Sequence, residues 1–266
     1  MDRYPSSIKP ERPAAILGPG RFDAVLLDLD GVLTSTAKIH AECWKEIFDD
    51  FLKMWAARRG EPFCPFDADR DYRLFVDGKS REDGVRSFLA SRGIALPEGA
   101  PDSPAEEDSV YGLGKRKNEL VRRAIQAGRA KAFPGSVRFV RWIRDRGLRT
   151  AVVSSSHNCL AVLRSTGIGQ LFEVTVDGYE EDRLHLRGKP APDAYLHAAE
   201  LLRATPARSV VVEDAIAGVQ SGRAGGFGLV VGVDRGGAAK ELRRNGADLV
   251  VSDLGQLIAR RDHERQ

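Results

Sequence analysis

Two aspartates at the end of a short apolar run are the first residues that could do chemistry. Ala24 to Leu29 reads as a buried strand, and Asp28, Asp30 and Gly31 close it in the run DLDGV at 28–32. Two carboxylates this close repel one another and are costly to desolvate unless a cation or hydrogen bonds compensate. Two residues apart, both side chains leave the pleat in the same direction, so one metal ion could bridge them. Gly31 permits the tight exit turn. Alone, the Asp-x-Asp is equally a polar strand end before a loop.

Three later stretches carry polar residues at comparable places. Ser154 follows the apolar AVV and precedes Ser155, Ser156, His157 and Asn158. Lys189 stands in GKPAPD, and Glu213-Asp214 follow SVVV. Taken singly, Ser154 is a helix N-cap, Lys189-Pro190 a loop and Glu213-Asp214 two caps. On a parallel sheet, right-handed crossovers bring every strand out on one edge. There the four stretches collect four carboxylates, one lysine and one hydroxyl. Mg²⁺ takes oxygen from a few carboxylates and completes its shell with water and phosphate, while Lys and Ser hydrogen-bond phosphoryl oxygens.

The elements that must position these residues follow from periodicity. Thr36 to about Phe51 is helical, with Ile39, Cys43, Trp44, Ile47, Phe48 and Phe51 at three- and four-residue steps. Met54 to Phe66 reads as a loop or broken helix. Ser80 with Asp83 resembles a capping box opening a helix through Val85, Phe88 and Leu89. Pro97 to Asp108 reads as a mobile connection, and Gly114 leads a helix to about Ala127. Residues 36–129 are therefore expected to be all-helical. Beyond them, strands at 149–154, 174–177, 209–213, 228–233 and 248–252 alternate with helices at 137–145, 158–166, 192–203, 217–224 and 238–245. That alternation predicts an α/β fold, a Rossmann-like parallel sheet core with helices on both faces, with the helical block inserted after the first strand. The expected division is an N-terminal arm at 1–20, a core at 21–35 and 130–266, and the helical segment at 36–129.

Composition narrows the class. The chain has 266 residues, 42% hydrophobic and 30% charged, as globular proteins do. The 41 basic and 38 acidic residues give a net charge of +3, with no basic stripe that argues for nucleic acid. The proline-rich start lacks the apolar run of a signal peptide, and no stretch reaches the ~20 apolar residues that span a bilayer. Three cysteines in no metal-binding pattern predict reduced thiols in a cytoplasmic protein.

In this order DLDGV, Ser154, the Lys189 segment and the VEDA around Glu213-Asp214 resemble the haloacid dehalogenase superfamily of phosphotransferases over about residues 22–254. The resemblance implies that Asp28 is the nucleophile forming an aspartyl-phosphate and Asp30 the general acid/base. Ser154 and Lys189 would hold the phosphoryl group, and Asp28, the Asp30 backbone carbonyl, Glu213 and Asp214 would bind Mg²⁺. The helical insertion resembles the cap domain of the β-phosphoglucomutase-like subfamily. Gly78 to Asp83 is similar to its GVSRED loop, Lys115 to Asn118 to its KRKN, and Thr36, His40 and Trp44 to its T-x-x-x-H-x-x-x-W. By resemblance the substrate-binding set is Thr36, His40, Trp44, Gly78, Ser80, Arg81, Lys117, Ser156, His157 and Asn158. Arg81, Lys117 and Asn158 would grip the non-reacting phosphate, and His40 would link cap closure to Asp30. Without the resemblance, His40 reads as a packed histidine. Two positions depart from the family: Ser35 stands where Asp is common and His157 where Lys is common. The insertion is also longer, mainly at 54–71 and 97–108.

The expected activity is a Mg²⁺-dependent phosphosugar mutase. It would interconvert β-D-glucose 1-phosphate and glucose 6-phosphate through an aspartyl-phosphate and a bisphosphorylated sugar. The alternatives are a sugar-phosphate phosphatase with the same nucleophile and a non-catalytic phosphosugar-binding protein. The intact Asp28, Asp30, Ser154, Lys189 and Asp214 argue against the last. The expected partner is the small phosphosugar alone, with no nucleic acid or membrane, and the expected state a monomer.

Overall fold

A computed structural model describes Leu17 and residues 20–258; the arm expected at 1–20 lies almost wholly outside them. The first strand, β1, is Ala24–Leu27, and all four residues are buried. Its side chains alternate between two apolar layers, as a pleated strand requires. Val25 and Leu27 pack with Phe139, Val140 and Val162, whereas Ala24 and Leu26 pack with Tyr195, Ala198 and Val211. A strand buried on both faces needs the continuous apolar run that this segment has.

Five further strands complete the sheet: β2 (Arg149–Val153), β3 (Val174–Val176), β4 (Ser209–Glu213), β5 (Leu229–Val233) and β6 (Leu249–Val251). All pair in parallel, in the order β3-β2-β1-β4-β5-β6. The helices are α1 (Thr36–Arg59), α2 (Arg81–Ser91), α3 (Val110–Gln126), α4 (Pro134–Arg144), α5 (Cys159–Thr166), α6 (Gly178–Leu184), α7 (Asp193–Leu201), α8 (Ile216–Ala224) and α9 (Ala239–Arg244). The expected parallel α/β sheet with an inserted helical cap is what forms. No helix among the described residues is long and apolar enough to cross a membrane.

Helices α1, α2 and α3 enclose an apolar cluster of their own around Trp44, Phe48, Phe66, Phe88 and Leu113. The Phe48 ring lies 4.2 Å from Phe88 and 5.2 Å from Phe66. Both long helices are also rooted in the sheet layer, α1 through Ile39 and Cys43 and α3 through Val121 and Ile125. The two connections between cap and core are paired with each other. Thr34 bridges Ala132 in antiparallel fashion, the Ser35 N–H donates to the Lys131 carbonyl at 2.9 Å, and the Phe133 N–H donates to the Leu33 carbonyl at 2.9 Å.

Several expectations need correction. Strand β1 stops at Leu27 because the Leu33 and Thr34 amides both turn back to the Leu29 carbonyl, each at 3.0 Å. Helix α1 runs unbroken through Met54 to Arg59, where a loop or broken helix was expected. The run Met54-Trp-Ala-Ala-Arg-Arg contains strong helix formers, and the stop signal is Gly60, left-handed at φ 66°. Residues Tyr72–Val76 form a π-helical turn, the i→i+5 form that often marks functional sites. Helix α3 begins at Val110, not Gly114, because the Ser109 hydroxyl accepts the Gly112 N–H at 3.1 Å. The connection expected to be mobile at 97–108 is tied to that start: the Val110 N–H donates to the Pro97 carbonyl at 3.0 Å. Helix α6 was not anticipated; Asp177 caps it by accepting the Glu180 N–H at 3.0 Å.

Candidate active site

Strand register assembles the core end. Leu27 lies level with Val152 of β2 and Val212 of β4, so Asp28, Ser154 and the Glu213-Asp214 pair emerge side by side. Lys189 reaches in from the segment before α7. Its ammonium donates to Asp28 Oδ1 at 2.6 Å, to Glu213 Oε1 at 2.7 Å and to the Val153 carbonyl at 3.3 Å. Burial works to lower the Lys189 pKa, but Asp28 and Glu213 outweigh it and hold the lysine well above its ordinary value.

Glu213 is fully engaged. Oε1 also accepts from the Tyr195 hydroxyl at 2.8 Å, and Oε2 accepts the Asp214 and Ala215 amides at 3.1 and 3.2 Å. Asp214 lies against Gly31 so closely that a Cβ at position 31 would be 1.7 Å from its Oδ2. Gly31 (φ 83°) therefore serves the approach of Asp214 as well as the turn. Burial pushes the Asp28 pKa well up, opposed by Lys189 and reinforced by Glu213 and Asp30. Asp214 is raised likewise by burial, then by Asp77 and Asp28.

Asp28, Glu213 and Asp214 offer oxygens within 4.8 Å of one another. With Asp30 they gather four carboxylates, two of which share one lysine. Hard oxygen donors and a deficit of positive charge are what a divalent cation requires, so the residues present fit one.

The cap side is built on Asp30. Thr36 donates its hydroxyl to Asp30 Oδ1, and His40 Nε2 lies 3.7 Å from the same oxygen. His40 Nδ1 is 2.8 Å from Lys117 Nζ. An ammonium only donates, so Nδ1 accepts and the ring proton sits on Nε2, facing Asp30. Burial above all, then Lys117, lowers the His40 pKa to about 4, against Asp30. Burial likewise lowers Lys117 to about 8. The Lys117 ammonium lies 4.8 Å from the Trp44 ring centre, within cation–π range. Asn118 and Asn158 join cap to core, Nδ2 of Asn158 donating to Oδ1 of Asn118 at 2.8 Å.

One cleft, about 640 Å³ counting its open mouth, unites these groups. Asp28, Asp30, Ser154 and Asp214 line its core side; His40, Trp44, Gly78, Arg81 and Lys117 line its cap side, with Ser156, His157 and Asn158 between. The Ser154 hydroxyl accepts the Ser156 N–H at 3.2 Å, which leaves its proton to donate. Two residues expected to touch substrate lie elsewhere. Thr36 is buried behind Asp30, and Ser80 caps α2, its hydroxyl accepting the Asp83 N–H at 3.3 Å. His157 Nε2 is 2.8 Å from Asp182 of α6, and its ring meets Tyr179 edge-on at 4.5 Å. The cleft also contains Tyr72, Asp77, Lys79, Asn118 and Ser155, which the sequence reading left out. Asn118 and Lys79 stood inside quoted motifs and could have been found there, and Asp77 directly precedes one. Asp77 is pushed up to about 7 by burial, with Tyr72 opposing and Glu213 and Asp30 adding to the rise.

The family model of haloacid dehalogenase-like hydrolases matches residues 22–226. The chain belongs to this family. Among known members, a β-phosphoglucomutase of Mycobacterium tuberculosis is 49% identical over 253 residues, covering 94% of this chain and 97% of that protein. Hexitol phosphatase A of Escherichia coli is 30% identical over 241 residues, 89% of this chain and 94% of that one. The crystal structure of the Clostridium difficile β-phosphoglucomutase shares the fold, with a TM-score of 0.68 at 24% identity over 91% of this chain and 96% of the other. Within the haloacid dehalogenase family, then, this is an enzyme of the β-phosphoglucomutase-like group.

Proposed function

We propose that the protein is a phosphosugar mutase that interconverts β-D-glucose 1-phosphate and glucose 6-phosphate, with residues 36–129 acting as its cap. One observation carries this reading: the cleft that holds Asp28 also holds cap cations, Arg81 and Lys117 with Lys79 beside them. A hydrolase needs a phosphate site only at the nucleophile. A mutase must hold a sugar with phosphate at both ends and exclude water from the phosphorylated carboxylate.

In this scheme Asp28 attacks a phosphorus of the bisphosphorylated sugar, the bond to the leaving oxygen breaks, and Asp30 gives that oxygen its proton, so a monophosphate departs. A free hydroxyl of the next monophosphate then attacks the phosphorus of phosphorylated Asp28, gives its proton to Asp30 and frees the Asp28 carboxylate. The bisphosphate so formed turns round and presents its other phosphorus to Asp28. Lys189 offsets charge at Asp28, while Ser154 donates to a phosphoryl oxygen. Asp28, Asp214 and the Asp30 carbonyl, with Glu213 adjoining, would hold Mg²⁺, which supplies charge neutralisation at the transferring group. Thr36 and His40 fix the orientation of Asp30, and His40 ties it to Lys117.

The second reading is a sugar-phosphate phosphatase. His157, bound to Asp182 where the family commonly has a lysine, favours it by thinning the second phosphate site. The test supplies Mg²⁺, β-glucose 1-phosphate and a trace of the 1,6-bisphosphate, and follows glucose 6-phosphate and free phosphate in parallel. Glucose 6-phosphate outpacing phosphate is the expected result. Phosphate without the isomer supports the phosphatase. Arg81→Ala is expected to lower isomerisation about 100-fold and to leave hydrolysis of a small phosphate ester within a few-fold.

A further inference from the structure

Asp77 has no part in the reaction just described, yet the fold delivers it to the reacting centre. It follows the π-helical turn Tyr72–Val76 on the cap, and the loop it begins is pressed against the core. At Gly78 (φ 74°) a Cβ would stand 2.8 Å from the Ala215 Cβ and 3.6 Å from that of Ala217. Ala215 directly follows Asp214, so this docking sets Asp77 beside Asp214. Asp77 is the strongest charge that Asp214 feels, ahead of Asp28, Glu213 and Asp30. Its own partner is the Tyr72 hydroxyl, and among the described residues it forms no ion pair. The buried lysine that acts on it, Lys189, is already divided between Asp28 and Glu213. Closing the cap therefore carries a further negative charge into a cluster that already has too many.

We propose that Asp77 is a cap-borne acceptor for the divalent-cation site, so that cation binding and cap closure favour each other. The inference rests on the cation reading of Asp28, Glu213 and Asp214. Asp77 falls outside the group of oxygens that lie within 4.8 Å of one another. Mg²⁺ retains several of its waters, and Asp77 is suited to accept from that outer shell. Without the cation, repulsion between Asp77 and the core carboxylates opposes closure. With it, the same carboxylate is attracted. Reciprocity follows from linkage: whatever the cation gains from the closed cap, the closed cap gains from the cation. Two other ties of the cap to the core, Asn118 to Asn158 and Arg73 to Glu241 at 3.2 Å, do not involve the cation.

The experiment measures Mg²⁺ binding by calorimetry and molecular compactness by small-angle scattering, with and without Mg²⁺ and with no sugar present. Wild type is expected to contract when Mg²⁺ is added. Asp77→Asn is expected to bind Mg²⁺ about 10-fold more weakly, to be compact already without the ion, and to change little on its addition. Tyr72→Phe, which keeps the carboxylate, is expected to contract as wild type does. Wild-type affinity and contraction in Asp77→Asn would overturn the proposal. So would loss of contraction in both variants, since that result assigns Asp77 a purely structural pairing with Tyr72. A wild-type protein that binds no Mg²⁺ removes the cation reading, and this inference with it. Because no turnover is measured, failure of the mutase assignment leaves the result interpretable.

Discussion

At the core end of the cleft four carboxylates gather and one buried lysine bonds two of them, Asp28 and Glu213, with Glu213 also locked by backbone amides. At the cap end the balance is reversed. Arg81 and Lys117 share the cleft wall, and the partners they have are Glu82, at 2.9 Å from Arg81, and neutral His40. The core end is short of positive charge and the cap end short of negative charge. A phosphosugar with a divalent cation meets both shortages at once, the cation at the strands and a distal phosphate at the helices. On the proposed reading, chemistry belongs to the strand ends and recognition to helices joined to the core by two short connections.

The comparison breaks most sharply at Asp28. Asp28→Asn substitutes an amide that is a poor nucleophile and a poor cation ligand, and kcat is expected to fall about 10⁴-fold. Near-normal turnover would remove the core end from the mechanism. Next in size is Lys189→Met, which leaves Asp28 and Glu213 buried together without their shared ammonium. A loss of about 3–5 kcal/mol in denaturant unfolding is expected. A stable variant would mean that the two carboxylates are not held by the lysine.

A subtler probe of the cap end is acid sensitivity. His40 titrates near 6.5 when free and at about 4 when folded. Between those values the unfolded chain binds a proton that the folded chain does not, so stability falls as pH drops from about 6.5 towards 4. The His40 share approaches roughly 3 kcal/mol at the acid limit. It is read as the difference between wild type and His40→Gln, where that share should vanish. Equal acid sensitivity in both would place the histidine outside the buried network. The smallest change expected is at His157. His157→Lys adds a fixed charge to the poorly furnished side of the cleft, and KM for a sugar phosphate should drop a few-fold. An unchanged KM would show that position 157 does not meet the distal phosphate.

The strand-borne part of the core end was legible in the sequence because each of its members is a polar residue stranded at the end of an apolar run: Asp28 after AVLL, Ser154 after AVV, Glu213 after SVVV. A parallel sheet leaves such residues one place to go. Much of the cap was legible only through its resemblance to a known loop and spacing. Residues whose meaning depends on docking stayed hidden. Asp182 pairs with His157 because Asp177 caps a short helix with no apolar periodicity to announce it. Asp77 gains its surroundings only when Gly78 meets Ala215. Thr36 was taken for a substrate contact through its match to the T-x-x-x-H-x-x-x-W spacing, which does not show that its hydroxyl is spent on the Asp30 carboxylate.

The paired connections at 33–35 and 131–133 have a mechanical consequence. Two independent tethers would let the cap translate, tilt and rotate about several axes. Two segments hydrogen-bonded to each other behave as a ribbon, compliant to flexing and stiff to sliding, because sliding would break the Ser35–Lys131 and Phe133–Leu33 bonds. Such a coupling reduces the cap's movement towards a single swing. In a swing, displacement grows with distance from the axis. His40, one turn into α1, travels little and keeps its station by Asp30 throughout. The Asp77–Gly78 loop, carried on the cap and docked on Ala215, is where arrival and departure are felt.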